Sequence, residues 1–195
     1  MTEKSTMHVW PDAWGFRVAE CPCDLHLTDY IKERALSDLT LYHFGTGDHH
    51  HVGITQGEAK TRNSVIGITA STGEYESYIQ LMIRRPELSR WYHVSFGDIY
   101  MLNPQMLPNL DLVTLFHLCE YRTEKNDAYG ALTDAEVLQL LFGKLRPGGL
   151  MMFYPGSYAF AEAKPIIDAW AEASAVEFVE KYKTLLIYRK RADVR

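Results

Sequence analysis

Cysteine is scarce in this chain. The three residues are Cys21, Cys23 and Cys119, an odd count with two of them one residue apart. That pattern does not read as a disulfide framework. An excess of basic charge is also missing: the net charge is −5, so there is no electrostatic footprint for a nucleic acid. Long apolar runs are absent too. The strongest, Gly149-Leu-Met-Met-Phe-Tyr154, is too short to span a bilayer, and no membrane partner is expected. The start MTEKSTMHVW lacks the basic and apolar segments of a secretory leader, which makes the cytoplasm the expected location. No internal repeat or low-complexity tract occurs.

What is present is a chain of 195 residues, 47% hydrophobic, enough for one α/β domain with a full core. Residues 1–26 form an N-terminal arm with Trp10, Trp14, Phe16 and Pro22 but no periodicity, and 27–195 form the domain. Thr28 is a candidate cap for a helix running to about Asp38. Strands are expected at Leu39–Phe44, Val65–Ile68, Trp91–Phe96, Leu110–Phe116 and Leu150–Tyr154. Residues 48–60 read as a weak helix or a long loop. A helix at about 74–85 sets Tyr75, Tyr78, Ile79, Met82 and Ile83 on one face. Thr133-Asp-Ala-Glu136 carries a capping box, and Arg146-Pro-Gly-Gly149 reads as the stop of that helix. Pro165 fits the first turn of a further helix. Val176–Tyr182 and Thr184–Tyr188 read as an antiparallel hairpin. Together these predict a doubly wound, mostly parallel seven-stranded sheet in three α/β/α layers, with one reversed strand.

In such a sheet the ligand lies beyond the carboxyl ends of the strands, beside the first strand. That gathers Gly45–His49, Thr69–Ser71, Gly97-Asp98 and Phe116–Glu120 around one crevice. The stretch LTLYHFGTGDHHHVGI, residues 39–54, ends an apolar run in Gly45-Thr46-Gly47 and then sets three histidines in a row. Glycines after the first strand let the backbone approach a ligand, and the next helix terminus offers free N–H groups.

The order of segments resembles the class I, seven-stranded S-adenosylmethionine-dependent methyltransferases over roughly residues 28–190. Asp111-Leu-Val-Thr-Leu-Phe-His-Leu-Cys-Glu120 resembles the family's fourth strand and its following segment. Leu145-Arg-Pro-Gly-Gly-Leu150 matches the turn before the fifth, and Phe96-Gly-Asp98 matches the acidic position after the third. The closing hairpin is a family feature as well. The resemblance implies S-adenosyl-L-methionine as cofactor, with His43, Gly45, Thr46, Gly47, His49, Thr69, Asp98, Ile99 and Phe116 around it. It places His117 and Glu120 where the acceptor meets the reactive methyl group.

The first half departs from the family pattern. An acid-x-Gly-x-Gly-x-Gly frame here reads His43-x-Gly45-x-Gly47-x-His49, and Thr69 stands where an acid usually ends the second strand. A hydroxyl lacks the carboxylate's charge and bidentate reach. Glu74 and Glu76 on the next helix are the candidates to replace it.

The histidines admit three readings: a metal site built from His43 or His49 with Asp48 or His117, ligand contacts or a general base, or capped and partly solvated loop residues. Adjacent imidazoles project apart, and the third reading suits His50 and His51 best. His117 is a candidate base oriented by Glu120. Tyr154, Ser157 and Tyr158 are candidates for an acceptor pocket, and Cys21-Pro-Cys23 is too closely spaced for a zinc half-site without partners elsewhere. No metal ligand set is assigned. The expected function is methyl transfer to a small-molecule acceptor, with the arm and the Arg122–Thr133 loop as the available cover, and a homo-oligomer is compatible with it. The alternatives are a catalytically inactive relative acting as a binding or partner protein, a metal-dependent enzyme using the His43/His49–His51 cluster, and a dinucleotide dehydrogenase. The last lacks its final glycine and its acid.

Overall fold

Apolar alternation along the strands decides how the chain layers. In the computed structural model, which describes residues 6–192, β1 (Thr40–Phe44) is almost wholly buried. Leu41 belongs to one core, and Tyr42 and Phe44 to the other. The same split divides Leu112 from Val113 in β4 (Leu110–Thr114) and Met152 from Met151 in β5 (Leu145–Phe153). A strand with both faces apolar must be covered on both sides. Helices α1 (Cys23–Glu33), α2 (His51–Glu58) and α3 (Thr72–Arg84) cover one face. Helices α5 (Asp134–Lys144) and α6 (Phe160–Ala173) cover the other. Between β4 and α5 lies only the four-residue α4 (Glu124–Asp127).

The sheet is completed by β2 (Ser64–Thr69), β3 (Tyr92–Phe96), β6 (Val176–Tyr182) and β7 (Leu185–Lys190). Its order is β3-β2-β1-β4-β5-β7-β6. Five strands pair in parallel, and β7 inserts antiparallel between β5 and β6. The reversed strand and closing hairpin match the expectation. Order reverses between β1 and β4, so a crevice opens beyond their carboxyl ends.

Five local expectations need correction. The first helix starts at Cys23, directly after Pro22. Thr28 is inside it, its hydroxyl donating back to the Leu25 carbonyl at 2.9 Å, so it caps nothing. Arg146-Pro-Gly-Gly149 does not stop a helix beyond Leu145 but bulges within β5, where Leu110 pairs with Leu145 and Leu112 with Leu150. Pro165 lies in the second turn of α6, which begins at Phe160 after Ala159, a residue without a capping side chain. On α3 the buried residues are Glu74, Tyr78 and Leu81, whereas Ile83 is 69% exposed. The first helix also ends at Glu33, short of the expected Asp38, as Ala35 and Asp38 take positive φ. The capping box at Thr133 is formed as expected, with Thr133 Oγ1 accepting from Glu136 N at 3.2 Å, and residues 48–60 contain a short helix, α2.

The arm is an extended strap. Of the expected 1–26, residues 1–5 lie outside the described residues, as do 193–195 at the other end. Trp10 bridges to Ser71, its amide donating to the Ala70 carbonyl at 3.0 Å. The Ser71 hydroxyl donates to the Asp12 carbonyl at 2.7 Å. The Asp48 amide then donates to the Trp14 carbonyl at 3.0 Å. The strap crosses the carboxyl ends of β1 and β2 before turning into α1.

Candidate functional site

The loop after β1 is shaped by its glycines. Gly45 has φ +90° and Gly47 φ +58°, in the region where side chains are strained. A Cβ on Gly45 would come within 2.7 Å of the His117 ring, and one on Gly47 within 2.7 Å of the Trp14 carbonyl. The loop is thus gripped between the segment after β4 and the arm. Beneath the arm lies a cavity of about 860 Å³, at the upper part of the range for ligand pockets, roughly 300–1,000 Å³.

Gly45, Gly47, His49, Thr69, Asp98, Ile99, His117 and Glu120 all face this cavity. His43, Thr46 and Phe116 do not line it. Strand alternation turns His43 away, toward α1, where its Nε2 lies 3.5 Å from Asp24 Oδ1 and its Nδ1 shares a 2.8 Å hydrogen bond with Thr114 Oγ1. Thr46 points into the body against Gly67. Phe116 packs in the core, edge-on to His43 and Tyr154.

The three histidines point three ways. His49 Nε2 faces Asp24 Oδ2 at 3.9 Å. His50 is 2% exposed and pairs with the Tyr92 hydroxyl at 2.8 Å. His51 Nε2 pairs with Thr28 Oγ1 at 3.1 Å and its ring stacks on Phe16. The run therefore does not converge on one ion, and His50 is packed rather than partly solvated. Burial drives its pKa down to about 4.

Glu74 supplies the carboxylate that the end of β2 lacks. Its Oε2 accepts from Thr69 Oγ1 at 2.7 Å, and its Oε1 accepts from the Trp14 amide at 3.3 Å. Glu74 lines the cavity, and burial raises its pKa above the ordinary carboxylate value. Glu76, the other candidate, bonds Gln80 on the surface. Asp98 is the opposite pole. Its Oδ1 accepts from the Tyr100 amide at 2.9 Å, and its Oδ2 from Asn126 Nδ2 at 2.8 Å and from the Tyr129 hydroxyl. Tyr129 in turn receives the His8 amide at 3.3 Å, so the arm and the Arg122–Thr133 loop close over the cavity together.

His117 and Glu120 form a dyad: Nδ1 and Oε2 are 3.0 Å apart. Burial opposes charge on both, but each partner outweighs it, so the imidazole sits above its ordinary pKa and the carboxyl below. Ser157 Oγ and the Tyr158 amide donate to Glu120 Oε1. Cys119, held at φ +71° within this turn, donates its amide to Asp134 Oδ1 at 2.9 Å, and burial drives its thiol up to about 12. Tyr154, Ser157 and Tyr158 line the cavity as expected.

Sequence reading missed the contribution of the arm's end. Cys21, Cys23 and Asp24 all face the cavity. Cys21 Sγ is 3.4 Å from Cys23 Sγ. Hydrogen bonding from Cys23 holds the Cys21 thiol down to about 7, and the same contact with burial pushes Cys23 up. Asp24 is 5% exposed; burial opposes its charge, but His43, His49 and His117 outweigh that and hold its pKa low. No periodic or motif signal marks Asp24. The Cys-x-Cys pair was visible, but its partner lies far along the chain.

No family model matches the chain, and no curated protein matches it in sequence. Solved structures do. The CcbJ methyltransferase of Streptomyces caelestis superposes with a TM-score of 0.62 at 12% identity, over 93% of this chain and 95% of that one. A precorrin-6y C5,15-methyltransferase from Geobacter metallireducens gives 0.58 at 10% identity, over 86% and 88%. The [4+2]-cyclase SpnF gives 0.55 at 17% identity, over 89% of this chain and 65% of its own. The inclusion of a cyclase shows that the scaffold does not dictate the reaction. With strand order, reversed strand and these superpositions agreeing, the chain has the fold of the class I S-adenosylmethionine-dependent methyltransferases.

Proposed function

We propose that this protein is an S-adenosyl-L-methionine-dependent methyltransferase acting on a small molecule. The observation that carries the reading is the Thr69–Glu74 pair, which restores a carboxylate to the end of β2 inside the cavity. A carboxylate offers about four acceptor sites, and Glu74 has used two. The remainder suit the two hydroxyls of a ribose. Asp98 Oδ1 carries one amide bond and has one acceptor site free for an exocyclic amine. The amino-acid end would lie along the cavity edge that Gly45 and Gly47 line, beside the rings of His117 and His49.

The cofactor, when bound, supplies an electrophilic methyl group on a sulfonium. The chain's own part is to orient both reactants, exclude water and receive a proton. His117 is the base of this reading, its Nδ1 held by Glu120 and its Nε2 left for the acceptor. Ser157 and the Tyr158 amide hold Glu120 in turn. The arm and Arg122–Thr133 loop wall the cavity, which restricts the acceptor to a small molecule.

Thermal unfolding with S-adenosylhomocysteine tests the reading. A ligand at a hundred times its Kd stabilises by about 2.7 kcal/mol, or roughly 5–10 °C in Tm for a chain of this size. An unchanged Tm at millimolar ligand refutes it. A second reading, a non-catalytic relative acting as a binding or partner protein, is favoured by His49, whose ring crowds the Gly47 position. It predicts either no Tm shift or a shift without transfer of labelled methyl to any acceptor.

A further inference from the structure

We propose that Cys21, Cys23 and His117 form a binding site for a thiophilic divalent cation of the zinc class, with its fourth position toward the cavity. The two Sγ atoms and a ring nitrogen of His117 lie within 4.8 Å of one another. Two sulfurs each about 2.3 Å from a tetrahedral zinc sit ~3.8 Å apart. Those of Cys21 and Cys23 are at 3.4 Å, so a few tenths of an ångström of adjustment suffices. Pro22 and the start of α1 fix the backbone between them, and the two thiols approach His117 from the far end of the chain.

The surroundings are those of a metal site. The His117 Nδ1 is already engaged by Glu120 at 3.0 Å, which leaves Nε2 as the ligand atom. A carboxylate behind a ligating imidazole fixes its orientation and raises its basicity. Ser157 and the Tyr158 amide hold that carboxylate in turn. Asp24 adds negative charge, its Oδ1 3.6 Å from Cys23 Sγ. Cys21, Cys23 and His117 all face the cavity, so three protein ligands leave one position for water or a ligand of the cation, the pattern of an open rather than a closed zinc site.

Binding here does not depend on methyl transfer. It does compete with it, since a bound cation takes the His117 lone pair that the proposed base needs. The chain without metal is then the form in which His117 acts as a base.

The test uses reduced, purified full-length protein titrated with Zn²⁺ against a chromophoric chelator, and with Co²⁺. One equivalent of Zn²⁺ is expected to bind. Co²⁺ is expected to give a thiolate-to-metal charge-transfer band with intense visible bands of tetrahedral coordination. Cys21→Ser with Cys23→Ser abolishes the charge-transfer band, while Glu120→Gln weakens Zn²⁺ binding by about 10–100-fold. Should the double variant misfold, the wild-type protein still decides: Zn²⁺ protects Cys21 and Cys23, but not Cys119, from alkylation. Absence of the band and equal alkylation of all three thiols with and without Zn²⁺ overturn the proposal, as does unchanged Zn²⁺ affinity in a folded double variant. None of these outcomes bears on the S-adenosylhomocysteine shift.

Discussion

Glu74 couples binding to stability through a single carboxyl group. Buried against Thr69, it is harder to ionise than an exposed glutamate, so its charge is a liability to the empty fold and, in the proposed function, an asset to a bound ribose. Replacing Glu74 with Gln keeps an acceptor for Thr69, removes the charge and turns an amide donor toward the Trp14 N–H. The expected outcome is weaker S-adenosylhomocysteine binding in a protein that still folds. Loss of a charge-assisted contact of about 1.5–3 kcal/mol corresponds to roughly tenfold to hundredfold in Kd, read by calorimetry. His50 carries the second prediction at this scale. Its pKa is about 4 in the fold against 6.5 ordinarily. Between those values the unfolded chain takes a proton that the folded one refuses, so stability falls as pH drops from 6.5 toward 4. The loss is about 3 kcal/mol at the lower end. His49 and His51, also lowered by burial, act in the same direction. Denaturant unfolding at a series of pH values checks this, and in His50→Gln the acid-side loss shrinks.

At the scale of elements, α5 and the arm behave differently. The capping box of α5 satisfies amides in both directions, Glu136 Oε2 accepting from Thr133 N at 2.7 Å. Thr133→Ala is expected to cost about 1 kcal/mol of stability in urea unfolding. The arm contributes cover. Deleting residues 1–16 removes Trp10, Asp12 and Trp14 from the cavity wall. The sheet should still unfold cooperatively, while S-adenosylhomocysteine affinity falls about tenfold or more as that wall is lost.

These two elements also show what was legible in sequence. The box at Thr133 is local, four residues long, and was read correctly. The start of α6 is local too, but Ala159 offers no capping group, so Pro165 drew the boundary to the wrong turn. Thr28 has a capping side chain that bonds within its own helix instead. The central strands β1, β4 and the end of β5 were readable because burial on both faces leaves continuous apolar runs. The site was readable only in part. Gly45, Gly47, Thr69 and Asp98 follow from their place at strand ends. Asp24 beside His43, and the two thiols beside His117, depend on contacts between separate segments of the chain with no periodicity to announce them. Asp24, on α1, brings a carboxylate within 3.5 Å of His43.

For the whole molecule, the sheet sets where chemistry is available and the loops set which chemistry. Order β3-β2-β1-β4-β5-β7-β6 opens a crevice between β1 and β4, and Gly45, Glu74, Asp98, the His117–Glu120 dyad and the arm border it. The arm joins Ala70, Ser71 and Asp48 by main-chain and hydroxyl bonds. Each is worth about 1 kcal/mol net, far less than a central strand. Held by scattered bonds and ring contacts and not by a sheet ladder, the arm opens at lower cost than the sheet, and the amides of Trp10 and Asp48 should exchange with deuterium well ahead of those in β1 and β4. Entry to the interior then depends on the strap of residues 6–16 lifting and settling back, with α1 and the sheet undisturbed beneath it.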